Sequence, residues 1–152
     1  MHHLALSYEN DYGIQGKVNP PIRTDKDVEY LWDAVLAGDI DTVVSDHACL
    51  PMNLKKGDIW KALPGFGGTS LIFPVVITNG YYQRSLPLER IAELTSFNSD
   101  IKHNLYPKKG TIMVGSDADL AIVDIETEKS VRNDILFSAQ DYTPFEGIPL
   151  KG

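Results

Sequence analysis

Ile40-Asp-Thr-Val-Val-Ser-Asp-His47 is the stretch whose reading decides the fold. It follows a well-signalled helix. Val28, Leu31, Trp32, Val35 and Leu36 repeat at helical spacing, Thr24 with Asp27 resembles a capping box, and Gly38 supplies the stop. The run from Ile40 to Ser45 is apolar and β-branched with no polar face, which predicts a buried strand of the kind found in parallel sheets. An acid and an imidazole then stand at its carboxyl end. Helix, apolar strand and terminal acid is how a β/α barrel presents a reactive group, because such chemistry sits where strands end and βα loops begin. Asp46 is therefore the first candidate, as a metal ligand and proton acceptor.

Working outward, Lys17-Val-Asn-Pro-Pro-Ile-Arg23 is an extended piece, since each proline drives its predecessor toward β or polyproline geometry. A polar loop over 48–60 leads to Leu63-Pro-Gly-Phe-Gly-Gly68. That glycine-rich turn lets backbone approach a ligand closely, but it lacks the spacing of a phosphate loop. Thr69–Tyr82 reads as a helix with Pro74 near its first turn. Pro87 opens another, and Asn98 is expected to cap a short final helix reaching about Leu105. From Lys109 the pattern becomes turn, strand, turn, strand to Ile125, with a further strand expected over Val131–Ser138. The expected organisation is thus α/β over residues 1–108 and an all-β unit over 109–152.

The 152 residues suffice for one domain with a real core. A formal charge of −7, with 14 basic residues scattered among 21 acidic ones, argues against a nucleic-acid surface. Lys55-Lys56 and Lys108-Lys109 are too short to form basic patches. One cysteine, Cys49, excludes an internal disulfide framework and fits a reducing cytoplasm. No apolar run approaches the roughly 20 residues of a membrane span.

Four blocks, in order, resemble the cyclic amidohydrolases, the group of dihydroorotase, allantoinase and hydantoinase/dihydropyrimidinase. They are Lys17-Val-Asn-Pro-Pro-Ile-Arg23, Val44-Ser-Asp-His-Ala48, Lys108-Lys-Gly-Thr-Ile-Met-Val-Gly-Ser-Asp-Ala-Asp-Leu120 and Tyr142-Thr-Pro-Phe-Glu-Gly147. The resemblance runs from His2 to Gly152 and implies the C-terminal part of a (β/α)8 TIM-like barrel, followed by part of a small β-sandwich. It implies a hydrolase that opens a cyclic amide or imide ring, with a divalent metal, two zinc ions in the complete enzyme. It also implies a small cyclic amide as substrate and a homo-oligomer, a dimer or tetramer.

Of the family's metal ligands only the last-strand aspartate has a match, Asp46. His2 and His3 resemble a block that follows the sixth-strand metal histidine and is not itself a ligand. The resemblance therefore implies that the chain begins after the other ligand positions and ends before the closing strands. Parallel strands need neighbours on both sides. Expressed alone, residues 1–152 are thus expected to aggregate or to melt without a cooperative thermal transition.

The resemblance gives Asn19 the position that holds a ring carbonyl or amide, and gives Pro64 and Gly65 a loop whose backbone contacts the ring. His47 either orients the site by a hydrogen bond or packs as an ordinary histidine. Arg23 and Lys17 read as solvated or paired residues, and Cys49 lacks an activating base. Asp117 and Asp119 are expected to cap backbone amides. Where dihydroorotases resemble Asp-His-Ala-Pro-His, this chain has Asp46-His-Ala-Cys-Leu50, so Leu50 removes a carboxylate contact and weakens dihydroorotate as a substrate. A non-catalytic dihydropyrimidinase-related scaffold is the alternative, and the presence of Asp46 weighs against it.

Overall fold

A computed structural model describes residues 1–152. Its longest helix is the one the sequence marks most clearly, α1, Asp25–Ala37. The Thr24 hydroxyl accepts from the Asp27 amide and the Asp27 side chain accepts from the Thr24 amide, completing the capping box. At the other end Gly38 takes the left-handed conformation, φ 89°. Loss of the capping hydroxyl in Thr24→Ala of the full-length protein is expected to lower stability by about 1 kcal/mol, read as a shifted urea midpoint at unchanged slope.

α1 buries Trp32 and Val35 against Leu4, Leu6, Val75, Val76, Leu86 and Leu94. The buried Trp32 indole donates to the Leu4 carbonyl at 2.9 Å. Arg84 lies over the same ring at 5.0 Å and pairs with Glu29. Gly80 is needed where it stands, because a Cβ there would sit 3.0 Å from Leu86 and 3.2 Å from Trp32.

The expected helix at Thr69–Tyr82 is present as α2, Ile72–Val75, entered through a 3-10 turn and continued in π geometry over Val76–Tyr82. Pro87 precedes α3, Leu88–Ala92, which runs through a π segment, Glu93–Phe97, into α4, Asn98–Lys102. Asn98 does not cap α4. Its backbone is already helical, and its side-chain amide donates to the Asp41 carbonyl at 2.8 Å.

That contact belongs to a correction at the decisive stretch. Residues 40–45 do not form a buried strand: only Val43 is buried, and Val44 is 57% exposed. No neighbouring strand pairs with them. Their backbone instead borrows partners from the helices, with Val43 N–H donating to Leu94 O at 2.8 Å and Arg90 donating to Ile40 O at 2.9 Å. Lys102 adds an ion pair to Asp41 at 2.7 Å. The apolar pattern reports a side-chain environment, and a ladder needs a second backbone that this chain does not place there.

The same physics corrects the β unit. Gly110–Ile125 contains no strand, and Val131–Ser138 contains a 3-10 turn, Asn133–Ile135. The single two-stranded sheet pairs β1, Glu128–Ser130, antiparallel with β2, Pro149–Lys151, with Lys129 opposite Leu150. Val114 and Ile122 are fully exposed. Asp117 and Asp119 pair with Lys109 rather than capping amides. No helix is long and apolar enough to cross a membrane.

Candidate active site

Three segments meet at one end of the fold: Lys17–Ile22, Val43–Leu50 and the glycine turn after Ala62. Their backbones are tied directly. Gly65 N–H donates to Lys17 O at 2.9 Å, and Ala48 N–H donates to Phe66 O at 3.1 Å. Asp46, Asn19 and the turn carrying Pro64 and Gly65 are thereby brought onto neighbouring, cross-linked segments.

Asp46 is exposed and sits at φ 51°. Left-handed backbone is uncommon for a side-chain-bearing residue, although Asp tolerates it better than most. Asp58 accepts the Trp60 and Lys61 amides, whereas the Asp46 carboxylate accepts no backbone amide and caps nothing. It is near enough to favour the protonated forms of His2 and His3.

His47 faces the glycine turn. Its Nδ1 accepts from Gly68 N–H at 3.2 Å and Thr69 N–H at 3.4 Å, so the ring holds the glycine turn in place. Asn19 is exposed and, with Lys17, Tyr8, Tyr12, Ile22 and Trp60, lines a cavity of about 640 Å³. Asp46, Pro64 and Gly65 lie outside that lining. Arg23 is exposed, and Lys17 reaches the Trp60 carbonyl at 3.4 Å.

The turn is clamped from the far end of the chain. Gln140, buried, accepts the Gly67 amide at 2.7 Å and donates to Tyr142 O at 2.5 Å. The Tyr142 hydroxyl donates to Gly65 O at 3.3 Å, and Ser138 contacts Cys49 at 3.4 Å. Burial pushes the Tyr142 phenol up to about 12, so it remains a donor at any working pH. Gly65 N–H is already used, and the Pro64 carbonyl, like those of Leu63 and Gly67, accepts no hydrogen bond, while Gly65 itself serves close packing. Its Cβ would stand 2.6 Å from that of Ala48.

The clamp and a buried Lys55 went unread in the sequence. Nothing local signals them, since a lysine beside a lysine and a lone glutamine are ordinary surface patterns.

His2 is 2% exposed, with neither ring nitrogen partnered, between His3 at 4.3 Å and Phe66 at 5.1 Å. Burial, reinforced by His3, pushes its imidazole down from 6.5 to about 4. The unfolded chain therefore takes up this proton near pH 6.5, and the folded one only near pH 4. Stability is expected to fall as pH drops through that window, and His2→Leu to flatten the dependence of Tm on pH.

The donor set does not by itself fit a metal ion. No group of three or more His, Cys, Asp or Glu side chains is placed to hold one. Asp46 offers one carboxylate, and His2 and His3 do not join it in a ligand set.

The frame is α/β, with helices packed beside an acid-terminated segment and a glycine turn. Residues 9–149 match the Amidohydrolase family model, and the chain belongs to that family. It is 37% identical over 154 aligned residues to an allantoinase of Rubrobacter xylanophilus, covering 99% of this chain and 34% of that protein. Its identity to a dihydroorotase of Halobacterium salinarum is 36%, covering 96% and 35%. Among solved structures, an L-hydantoinase (dihydropyrimidinase) from Arthrobacter aurescens superposes with a TM-score of 0.90 at 35% identity, over 98% of this chain and 34% of that one. The chain thus spans about a third of the length of the relatives it matches.

Proposed function

We propose that this chain is the portion of a cyclic-amide hydrolase that supplies the last-strand carboxylate and the substrate-holding segments. The observation that carries this reading is the cross-linked meeting of the Asp46, Asn19 and Pro64–Gly65 segments, with an Asp46 carboxylate committed to no other group. Asn19 offers a donor and an acceptor to the complementary edge of a ring amide. The Pro64 carbonyl accepts from a ring N–H. Asp46 takes a proton from the attacking water as its oxygen bonds to the ring carbonyl carbon, and delivers that proton to the leaving nitrogen as the C–N bond breaks.

In the family a divalent metal supplies hydroxide near neutral pH, because a bound ion lowers the pKa of its water to about 7. Here Asp46 would be one ligand of a zinc-type pair. Residues 1–108 correspond in this reading to the last strands and helices of the barrel, and 109–152 to part of a β-sandwich. The exposed, alternating apolar residues Ile112, Val114, Leu120 and Ile122 support the second assignment.

The protein carrying this chain, purified with zinc, is expected to open at least one of hydantoin, dihydrouracil, dihydroorotate or allantoin, and to lose that activity to a chelator. No turnover of any of the four would sink the proposal.

A further inference from the structure

Lys55 is 2% exposed, and no carboxylate lies within ion-pairing distance of it. A buried ammonium without a counter-ion is costly to keep, so what it holds is informative. Its Nζ donates to three carbonyls, of Lys17 at 2.7 Å, Gln15 at 3.1 Å and Ile14 at 3.4 Å. These end the 3-10 turn Gly13–Gly16 and open the segment that leads to Asn19. The faces of Phe66 and Tyr142 flank the ammonium, with ring centres at 5.8 and 5.6 Å. The first belongs to the glycine turn and the second to its clamp.

One oxygen ties these parts together. The Lys17 carbonyl accepts from Lys55 and also from the Gly65 amide, so both of its lone pairs are engaged. The ammonium, the segment before Asn19 and the turn after Pro64 share a single joint. Burial pushes the Lys55 ammonium down to about 8, which leaves it charged at neutral pH.

We propose that Lys55 is a positioning residue for the site: by drawing the Lys17 carbonyl between its ammonium and the Gly65 amide, it sets Asn19 and Pro64 at a fixed separation across the substrate. This rests on the functional reading above. Lys55 itself touches no reacting atom. Its contribution is to ring binding, which is equal in ground and transition states, so it bears on KM and leaves kcat alone.

The test is Lys55→Met in the full-length protein, since methionine fills the space between the two rings without a charge or a donor. Hydrogen exchange is expected to quicken about tenfold or more at the Gly65 amide and to stay unchanged across α1. For a substrate the wild type turns over, KM is expected to rise about tenfold with kcat preserved. Lys56→Met, one residue on at the surface, is expected to leave both readings unchanged.

Unchanged Gly65 exchange in Lys55→Met, or faster exchange throughout the molecule, would overturn the proposal, the second by making Lys55 a general core residue. A fall in kcat with KM preserved would also overturn it. A wild type that opens no ring defeats the hydrolase reading, and the exchange measurement then still decides Lys55.

Discussion

Asp46→Asn in the full-length protein is expected to reduce ring-opening kcat/KM about a hundredfold to ten-thousandfold, the range for loss of a positioned proton-transfer group. Asparagine keeps the size of the side chain and tolerates left-handed backbone nearly as well as aspartate, so φ 51° at this position costs it little more. It loses the charge and the proton-accepting oxygen. Because the carboxylate caps no amide, the fold has no stake in it, and the variant should melt where the wild type does. Asp46→Gly adds a second contrast. It is expected to be as inactive but more stable by up to about 1 kcal/mol, because glycine adopts this backbone freely. Activity retained within tenfold in Asp46→Asn would remove Asp46 from the chemistry.

Gly65→Ala is expected to cost about 3 kcal/mol and to disable the site with it. Two independent causes act here. The backbone lies at φ 122°, which side-chain-bearing residues rarely adopt, and the new methyl would stand 2.6 Å from Ala48 Cβ and 3.3 Å from Ala48 O. Relief of the clash would push the turn off the Asp46 segment, breaking the Gly65–Lys17 and Ala48–Phe66 bonds together. The two causes separate in a double variant. Ala48→Gly removes the nearest atom, so Gly65→Ala in that background should recover the packing share and keep the backbone share. Gly38→Ala is the backbone-only reference, since its φ is 89° and a Cβ there would meet nothing within 4 Å. Full recovery in the double variant would show that the backbone carries no strain at Gly65.

The parts of this structure legible in the sequence are those whose causes are local. Thr24, Asp27 and Gly38 each act within one turn of α1, and both ends of that helix fall where they predict. Pro87 likewise opens α3. The failures are equally specific. Ile40–Ser45 and Gly110–Ile125 have the composition of strands, yet a strand exists only with a partner backbone. Asn98 has the chemistry of a cap and spends it on Asp41, 57 residues away. Asp46 is legible from its place at the end of an apolar run, Asn19, Pro64 and Gly65 only through the resemblance, and the structure adds how their segments are tied together. Lys55 and Gln140 were invisible because what makes them matter lies 38 to 73 residues off along the chain. Burial of a polar side chain is decided by such distant partners, and no periodicity encodes it.

The clamp on the glycine turn also sets an order of events during synthesis. Gln140 follows Gly67 by 73 residues, Tyr142 follows Gly65 by 77 and Ser138 follows Cys49 by 89. At about 5–20 residues per second a ribosome needs roughly 4–15 s to cover the first of these gaps. Throughout that interval α1, built on neighbouring residues, is free to form, while the glycine turn has only its earlier partners Lys17, His47 and Ala48, without Gln140 and Tyr142, and Phe66 lacks Phe145 as its cover. Closing so long a loop also carries an entropic cost that local turns avoid. The nascent chain can therefore complete α1 well before the clamp on the glycine turn, which waits for the last residues that hold it.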